Sequence, residues 1–283
     1  MKPFLTTLTI LLIFVFLWSC HQDEPDYTQR TSYFKNRVEN IKSDSILTVV
    51  TLNIQLGFTI LQDPWNKDNI GGTKAHIDSL KSHLQRINPD IICLQEVPRN
   101  RYNTEIKDFI ETLAAELDMN YAFGAHGYND PTGIVPVHGE WGNAILTKFK
   151  ILSIDNHENE YNSIWERRSI LSATIKIGND TIVAYSLHFI PTNQAVPNAV
   201  SFFSQKKDKK QIILGDFNMT EVPELEGAGY TDVFKSDTTS MLYSAIDRLF
   251  VSGQFFTAMQ TGTITGNPGL SDHPANYCLL KMK

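Results

Sequence analysis

Cysteine is almost absent, with three in 283 residues at positions 20, 93 and 278. Cys93 and Cys278 fall inside apolar, strand-like runs, so two buried thiols are expected and a disulfide framework is not. A basic excess is missing too. Lys and Arg total 25 against 31 Asp and Glu, a formal charge of −6, so the field of the whole protein does not gather nucleic acid. Internal repeats and low-complexity segments are lacking, which excludes a solenoid. So is any apolar run long enough to span a bilayer comfortably. The run from Leu8 to Trp18 has the length of a signal-peptide core.

With those classes set aside, an apolar content of 42% over 283 residues suits one large α/β core. The N-terminus has its own organisation. Lys2 precedes the apolar run, which ends in Leu17-Trp18-Ser19-Cys20. That tetrapeptide resembles the lipobox of bacterial lipoproteins, in which the cysteine thiol takes a diacylglyceryl group and becomes the new N-terminus after cleavage. The resemblance implies a signal peptide over 1–20 and a lipid anchor at Cys20, hence a protein of the bacterial cell envelope, outside the cytoplasm. Each acyl methylene buried in the membrane adds about 0.8 kcal/mol to such an anchor. Residues 21–45 read as a tether, polar at first with Asp23, Glu24, Pro25 and Asp26 close together. Ser32 to Ile41 could form one short helix within it.

The folded domain is expected over 46–283. Ile46 to Leu52 is a β-branched run of strand type that delivers Asn53 at its carboxyl end. From Thr73 the period changes, with Ile77, Leu80, Leu84 and Ile87 on one helical face that stops at Asn88-Pro89. Asp90 to Gln95 is a strand carrying Glu96 at its end, so a strand, helix, strand unit sets Asn53 and Glu96 on one sheet edge. Glu105 to Leu117 has helical spacing and Tyr121 to Phe123 resumes as a strand, before a loop over Gly124 to Glu140. Gly142 to Thr147, Ile151 to Ile154, Ser169 to Ile177 and Thr181 to Phe189 then read as an antiparallel meander. Ala199 to Lys207 is a short helix in which Phe202 and Phe203 pack inward. Gln211 to Leu214, Ala245 to Val251 and Ala275 to Lys281 complete the strands.

Two acidic clusters, Gly215-Asp216-Phe217-Asn218 and Ser271-Asp272-His273, sit at the ends of apolar runs. A carboxylate, a carboxamide and an imidazole released from strand ends can hold a divalent metal and activate water beside a phosphate. Singly, each piece has an ordinary reading: Asn53 as a turn residue, Asp216 as a capped turn, Asp247-Arg248 as a surface ion pair. Their order is more specific. Leu52-Asn53-Ile54, Gln95-Glu96-Val97, Leu187-His188, Asp216-Phe217-Asn218, Ile246-Asp247-Arg248 and Ser271-Asp272-His273 together resemble the endonuclease/exonuclease/phosphatase family, from about Leu47 to the C-terminus.

The resemblance implies an α/β fold built as a four-layer α/β/β/α sandwich, two mostly antiparallel sheets face to face with helices outside, and a phosphoester hydrolase. It implies Asn53, Glu96 and Asp272 as metal ligands, an oxygen set suited to Mg²⁺, with Mn²⁺ as the other choice. Asp216 would orient or deprotonate water and Asn218 would hydrogen-bond the phosphoryl oxygens. His273 would transfer a proton or hold phosphate, with Asp247 fixing its tautomer. His188 would be a second imidazole on the phosphate, a feature of the deoxyribonuclease I-like and sphingomyelinase-like branches. Arg168 matches a phosphate-steadying arginine, and Glu140 the carboxylate partner of His188. Histidines 21, 76, 83, 126, 138 and 157 match no motif.

The expected substrate is a small or lipid-linked phosphoester met by a membrane-anchored monomer. A secreted or surface-bound endonuclease and a non-catalytic surface binding lipoprotein are the other readings. Lys206 to Lys210 reads as a solvated charge run. Arg99 and Arg101, just beyond Glu96, either grip substrate or decorate a loop.

Overall fold

Alternate residues along the central strands belong to different cores. Leu47, Val49, Ile91 and Cys93 enter one apolar cluster with Leu171, Ala173, Ile212 and Leu214. Val50, Leu52, Ile92 and Leu94 point the other way, onto Ile77, Leu80, Phe109 and Leu113. The period of two is thus filled on both faces, which is why these strands read as nearly continuous apolar runs.

The computed structural model describes residues 31–40, 45–126, 139–163, 166–190, 195–235, 246–264 and 269–283. The expected signal peptide and Cys20 anchor, together with His21 and His138, lie outside them. In chain order the elements are β1 (Ser32–Lys35), β2 (Ile46–Asn53), α1 (Lys74–Leu84), β3 (Ile91–Arg99), α2 (Phe109–Leu117), β4 (Asn120–Ala125) and β5 (Glu140–Thr147). They continue with β6 (Lys150–Ser163), β7 (Glu166–Ile177), β8 (Asp180–His188), α3 (Ala195–Ser204), β9 (Lys210–Asp216) and α4 (Pro223–Gly227). β10 (Tyr230–Asp232), β11 (Asp247–Ser252), β12 (Phe256–Thr263) and β13 (Asn276–Met282) end the series.

One sheet runs β1-β4-β5-β3-β2-β13-β12 and the other β10-β11-β9-β8-β7-β6. Among the described residues each has a single parallel pair, β2 with β3 and β8 with β9, beside antiparallel neighbours. The first cluster lies between the sheets. α1 and α2 cover the outer face of one sheet, and α3 and α4 that of the other. This is the expected four-layer sandwich. Phe202 and Phe203 are buried in the last cluster, and Cys93 and Cys278 are buried free thiols.

Several expectations need correcting. Ser32 does not open a helix but an edge strand, because its backbone pairs with Tyr121–Gly124 of β4. The meander is shorter than it reads: β5 pairs with β3 and β4 in the first sheet, and only β6, β7 and β8 follow one another in the second. The second helix starts at Phe109, not Glu105. The N–H groups of Glu105 and Ile106 are bonded to the Gly71 and Gly72 carbonyls, and Asp108 caps the helix through Glu111 N at 3.1 Å. β12 escapes the sequence pattern because it is an edge strand, exposed along most of its length. α1 matches its reading, capped by the Thr73 hydroxyl, which accepts from His76 N at 3.1 Å.

Gly215 permits the close approach of β9 to β8. A Cβ there would lie 2.0 Å from the Leu187 carbonyl oxygen, a backbone atom that cannot step aside. Gly215→Ala should therefore cost about 2–3 kcal/mol in urea unfolding. Gly227→Ala, whose Cβ meets nothing within 4 Å, should change stability by no more than about 0.5 kcal/mol.

Candidate active site

The two parallel pairs end at the same end of the sandwich. In one sheet Asn53 is in register with Gln95; in the other His188 is in register with Asp216, and Asp247 of β11 lies against Asp216 from the far side. A hydrogen bond joins the sheets there, from Asn53 Nδ2 to Asp216 Oδ2 at 3.1 Å. Beneath it Gln95 Nε2 donates to Ser186 Oγ at 3.1 Å, and Ser186 Oγ donates to the Leu94 carbonyl at 3.0 Å.

Glu96 is not at a strand end. β3 runs on to Arg99, and its register with β5 shifts between Leu94 and Val97, with Glu96 at φ 54° in the left-handed region. A bulge at this point re-aims one side chain while pairing continues on both sides, at a cost of order 1 kcal/mol for a non-glycine residue. The carboxylate so aimed accepts from Asn53 Nδ2 at 3.3 Å.

Asp216 is the meeting point. Its Oδ1 accepts the Asn218 backbone N–H at 2.9 Å, while Oδ2 faces His188 Nε2 at 3.5 Å and His273 Nε2 at 3.8 Å. His273 Nδ1 lies 2.8 Å from Asp247 Oδ2. The loop carrying Asp272 and His273 is pinned to the end of β2 by Ser271 Oγ, which donates to the Asn53 carbonyl at 2.6 Å. Two amides are already engaged. Asn218 Nδ2 donates to the Phe189 carbonyl at 2.9 Å, and Asn53 Oδ1 accepts from Gln55 N at 3.0 Å.

Burial sets the protonation of this cluster. It raises the carboxyl pKa of Glu96, with the nearby Asp272 charge adding to the rise, and raises that of Asp216. It also lowers the His188 imidazole well below its usual range, helped by Arg168 and His126, so His188 is neutral. Its Nδ1 is buried without a hydrogen bond, 3.9 Å from Glu96 Oε1. His273 behaves oppositely. Burial pulls it down, but the bond and charge of Asp247, with Asp216 and Asp272, outweigh burial and raise it to about 9.

The fold also brings in residues the motifs miss. His126 follows β4 at the same edge. Its ring lies 6.0 Å from that of His188, and its Nδ1 accepts from Ser169 N at 3.2 Å. Its place after a strand was the available signal, but no motif surrounds it. Trp141 packs edge-on to both histidines, and Arg168 lies over the Trp141 ring at 4.7 Å, where its charge acts on Glu96, Asp216 and His188. Glu140 is not the partner of His188. Its Oε2 takes Arg99 at 2.5 Å and its Oε1 the Thr31 hydroxyl, because β5 directs it along its own sheet toward β3 and β1. Arg99 is thereby an intramolecular pair. Arg101 is fully buried, donating to the Pro64 carbonyl at 3.2 Å. Lys206 to Lys210 leads into β9, whose first residue is Lys210, at the opposite end from the site, and Lys210 pairs with Asp180 at 2.9 Å.

A sequence profile of the endonuclease/exonuclease/phosphatase family matches residues 50–273. The chain belongs to that family. It is a phosphoester hydrolase of the nuclease and phosphatase kind. No curated protein matches it in sequence. Solved structures with the same fold include an endonuclease/exonuclease/phosphatase from Beutenbergia cavernae at 16% identity and TM-score 0.65, covering 84% of this chain and 72% of that one. A family member from Bacteroides vulgatus has 18% identity and TM-score 0.61, covering 85% of this chain and all of that one. D. rerio TDP2 complexed with single-strand DNA product has 16% identity and TM-score 0.56, covering 84% and 100%.

The donor set of this family member fits a divalent cation. Glu96 and Asp272 are two carboxylates close enough for one to raise the other's pKa, a repulsion that a hard cation between oxygens removes. A second group, Asp216, Asp247 and His273, offers ligand atoms all within 4.8 Å of one another. Two of its members, Asp247 and His273, are already bonded to each other, which fits proton transfer better.

The Asp247–His273 pair carries a pH signature. Folding raises the His273 pKa from the ordinary value near 6.5 to about 9. The His273 contribution is therefore complete below about pH 6.5 and is lost as pH rises through about 9, while burial, which raises the Asp247 carboxyl to about 7, adds its own loss as pH rises from about 4 to 7. NMR titration of the His273 ring should show the high pKa in the native protein. In Asp247→Asn it should fall below the wild-type value by more than a unit, and the alkaline loss of stability should shrink with it.

Proposed function

We propose that this hydrolase is a Mg²⁺-dependent phosphoesterase in which water attacks phosphorus directly, with no covalent intermediate. The observation that carries this reading is the convergence of Asn53, His188 and His273 on the Asp216 carboxylate. Burial makes Asp216 more basic than a surface carboxylate, as a group that orients and deprotonates water requires. A cation held by Glu96 and Asp272 with Asn53 would polarise a phosphoryl oxygen and offset the charge that builds on it. Asn53 would join that set through Oδ1, whose second lone pair the Gln55 N–H leaves open.

The protein's own residues do the rest. His188, neutral and with an unpartnered buried Nδ1, has a site for a phosphoryl oxygen or its proton. Asn218 keeps a second amide N–H for the same oxygens. Protonated His273, held by Asp247, is suited to deliver a proton to the leaving oxygen. Arg168 adds positive charge beside Trp141.

For the substrate we favour a small or lipid-linked phosphoester, with the protein anchored through an acylated Cys20 and acting as a monomer. The formal charge of −6 and the pairing of Arg99 with Glu140 support this over duplex DNA. A nuclease is the second reading, favoured by the likeness to TDP2 solved with a single-strand DNA product.

Turnover of bis(p-nitrophenyl) phosphate should require Mg²⁺ or Mn²⁺, vanish in EDTA and return with excess metal. Asp216→Ala should lower it about 10²–10⁴-fold; equal activity in that variant overturns the mechanism. Chelator-sensitive nicking of plasmid DNA at rates above those on phospholipid would favour the nuclease.

A further inference from the structure

The chain leaves β2 at Asn53 and returns at α1 through a long loop over 54–73, and its middle carries an unusual surface. Ile60, Leu61, Trp65 and Ile70 are all exposed, Leu61 at 93% and Trp65 at 56%. Tyr102 is exposed as well, on the neighbouring segment after β3. The other large exposed apolar side chains among the described residues, Phe34, Leu152 and Met259, sit one to a strand.

This loop forms part of the rim of the active site. Ile60 N donates to the Gly269 carbonyl at 3.2 Å, two residues before Ser271 and three before Asp272. On its other side, Arg101 Nη2 donates to the Pro64 carbonyl, with its guanidinium 5.4 Å from the Trp65 ring centre. The loop therefore bridges the segment bearing Asp272 to the segment following Glu96. It is also internally braced. Asp63 Oδ1 accepts Trp65 N at 2.9 Å, Asn66 Oδ1 accepts Asp68 N at 3.0 Å, and Asn69 Nδ2 donates to the Asp63 carbonyl at 2.9 Å. The apolar side chains are held outward by a shaped backbone, not by a collapsed one.

The tether arrives at the same end. β1 is antiparallel to β4, and Thr31 bonds both Ala125 N and Glu140, at the edge where β3 delivers Arg99. Only ten residues lie between Cys20 and Thr31, a reach of roughly 40 Å when fully extended. A chain leaving the far end would first have to run back along strands some 25–30 Å long. An acyl group at Cys20 would thus reach lipid by its shortest path with the site end, rather than the opposite end, facing the membrane.

We propose that the 58–72 loop docks this end onto a zwitterionic phospholipid surface, so that the site takes phosphoesters carried in that surface. The proposal rests on the anchored phosphoesterase reading above. Charge selects the surface: the loop holds Asp63 and Asp68 against Lys67, without the basic excess an anionic leaflet would attract. Trp65, about half exposed, suits the polar–apolar boundary of a bilayer.

The test uses the full chain, acylated by its host and reconstituted in phosphatidylcholine vesicles containing nitroxide-labelled lipid. A fluorophore is placed at Leu61→Cys or at Leu152→Cys, the latter near the start of β6 and the far end. Cys93 and Cys278 are buried and do not compete for label. Quenching at position 61 should exceed that at 152 at least about threefold. Equal quenching at both positions, in a chain that co-floats with vesicles, overturns the docking. A chain that does not co-float overturns the anchor and this orientation with it. Hydrolysis of bis(p-nitrophenyl) phosphate in the same preparation reports separately on the catalytic reading.

Discussion

The hydrogen bond from Asn53 to Asp216 crosses from one sheet to the other, and the rest of the site is arranged around it. Each partner stands at the carboxyl end of a strand in its sheet's one parallel pair. Both strands are buried on two faces, so a slip of a single residue would move every apolar side chain to the wrong core. The packing that stabilises the sandwich therefore also sets where Asn53 and Asp216 meet. The Gln95–Ser186–Leu94 bonds just below extend the same stitching one layer into the protein.

Around that contact the protein confines four carboxylates, Glu96, Asp216, Asp247 and Asp272, with two imidazoles. Such a group is costly to bury without compensation. Part of the compensation is internal: Asp247 is held by His273, and Asp216 accepts from Asn53 and from Asn218. Glu96 and Asp272 repel each other, and a divalent cation is the natural remedy. The positive φ at Glu96 belongs to the same economy of position, since a regular strand would have pointed that side chain into a core.

The two ends of the sandwich differ in character. The far end carries the charged turn before β9, solvated or paired to Asp180. The site end gathers the loop segments after β2, β3 and β4, the entry of the chain at Thr31, and an apolar rim. Chain entry, rim and the polar groups of the site are thus placed by one topological feature, the common direction of the parallel pairs.

Much of this was legible in residue order. Strand parity, the helix face from Ile77 to Leu84, the buried thiols and the polar residues after apolar runs are local signals, carried by neighbours two to four positions apart. The family resemblance joined those polar residues into one site. What the sequence could not disclose depends on pairing between distant segments: the sheet to which β5 belongs, the edge strands β1 and β12, the bulge that aims Glu96, the approach of His126 and Trp141 to His188, and the claim of Arg99 on Glu140. The amino-acid order alone determined which side chains face a core and which leave a strand end, because backbone geometry alternates them. Only the tertiary structure decided which of those ends meet, because register between strands far apart in the chain is chosen by packing and not by any local pattern.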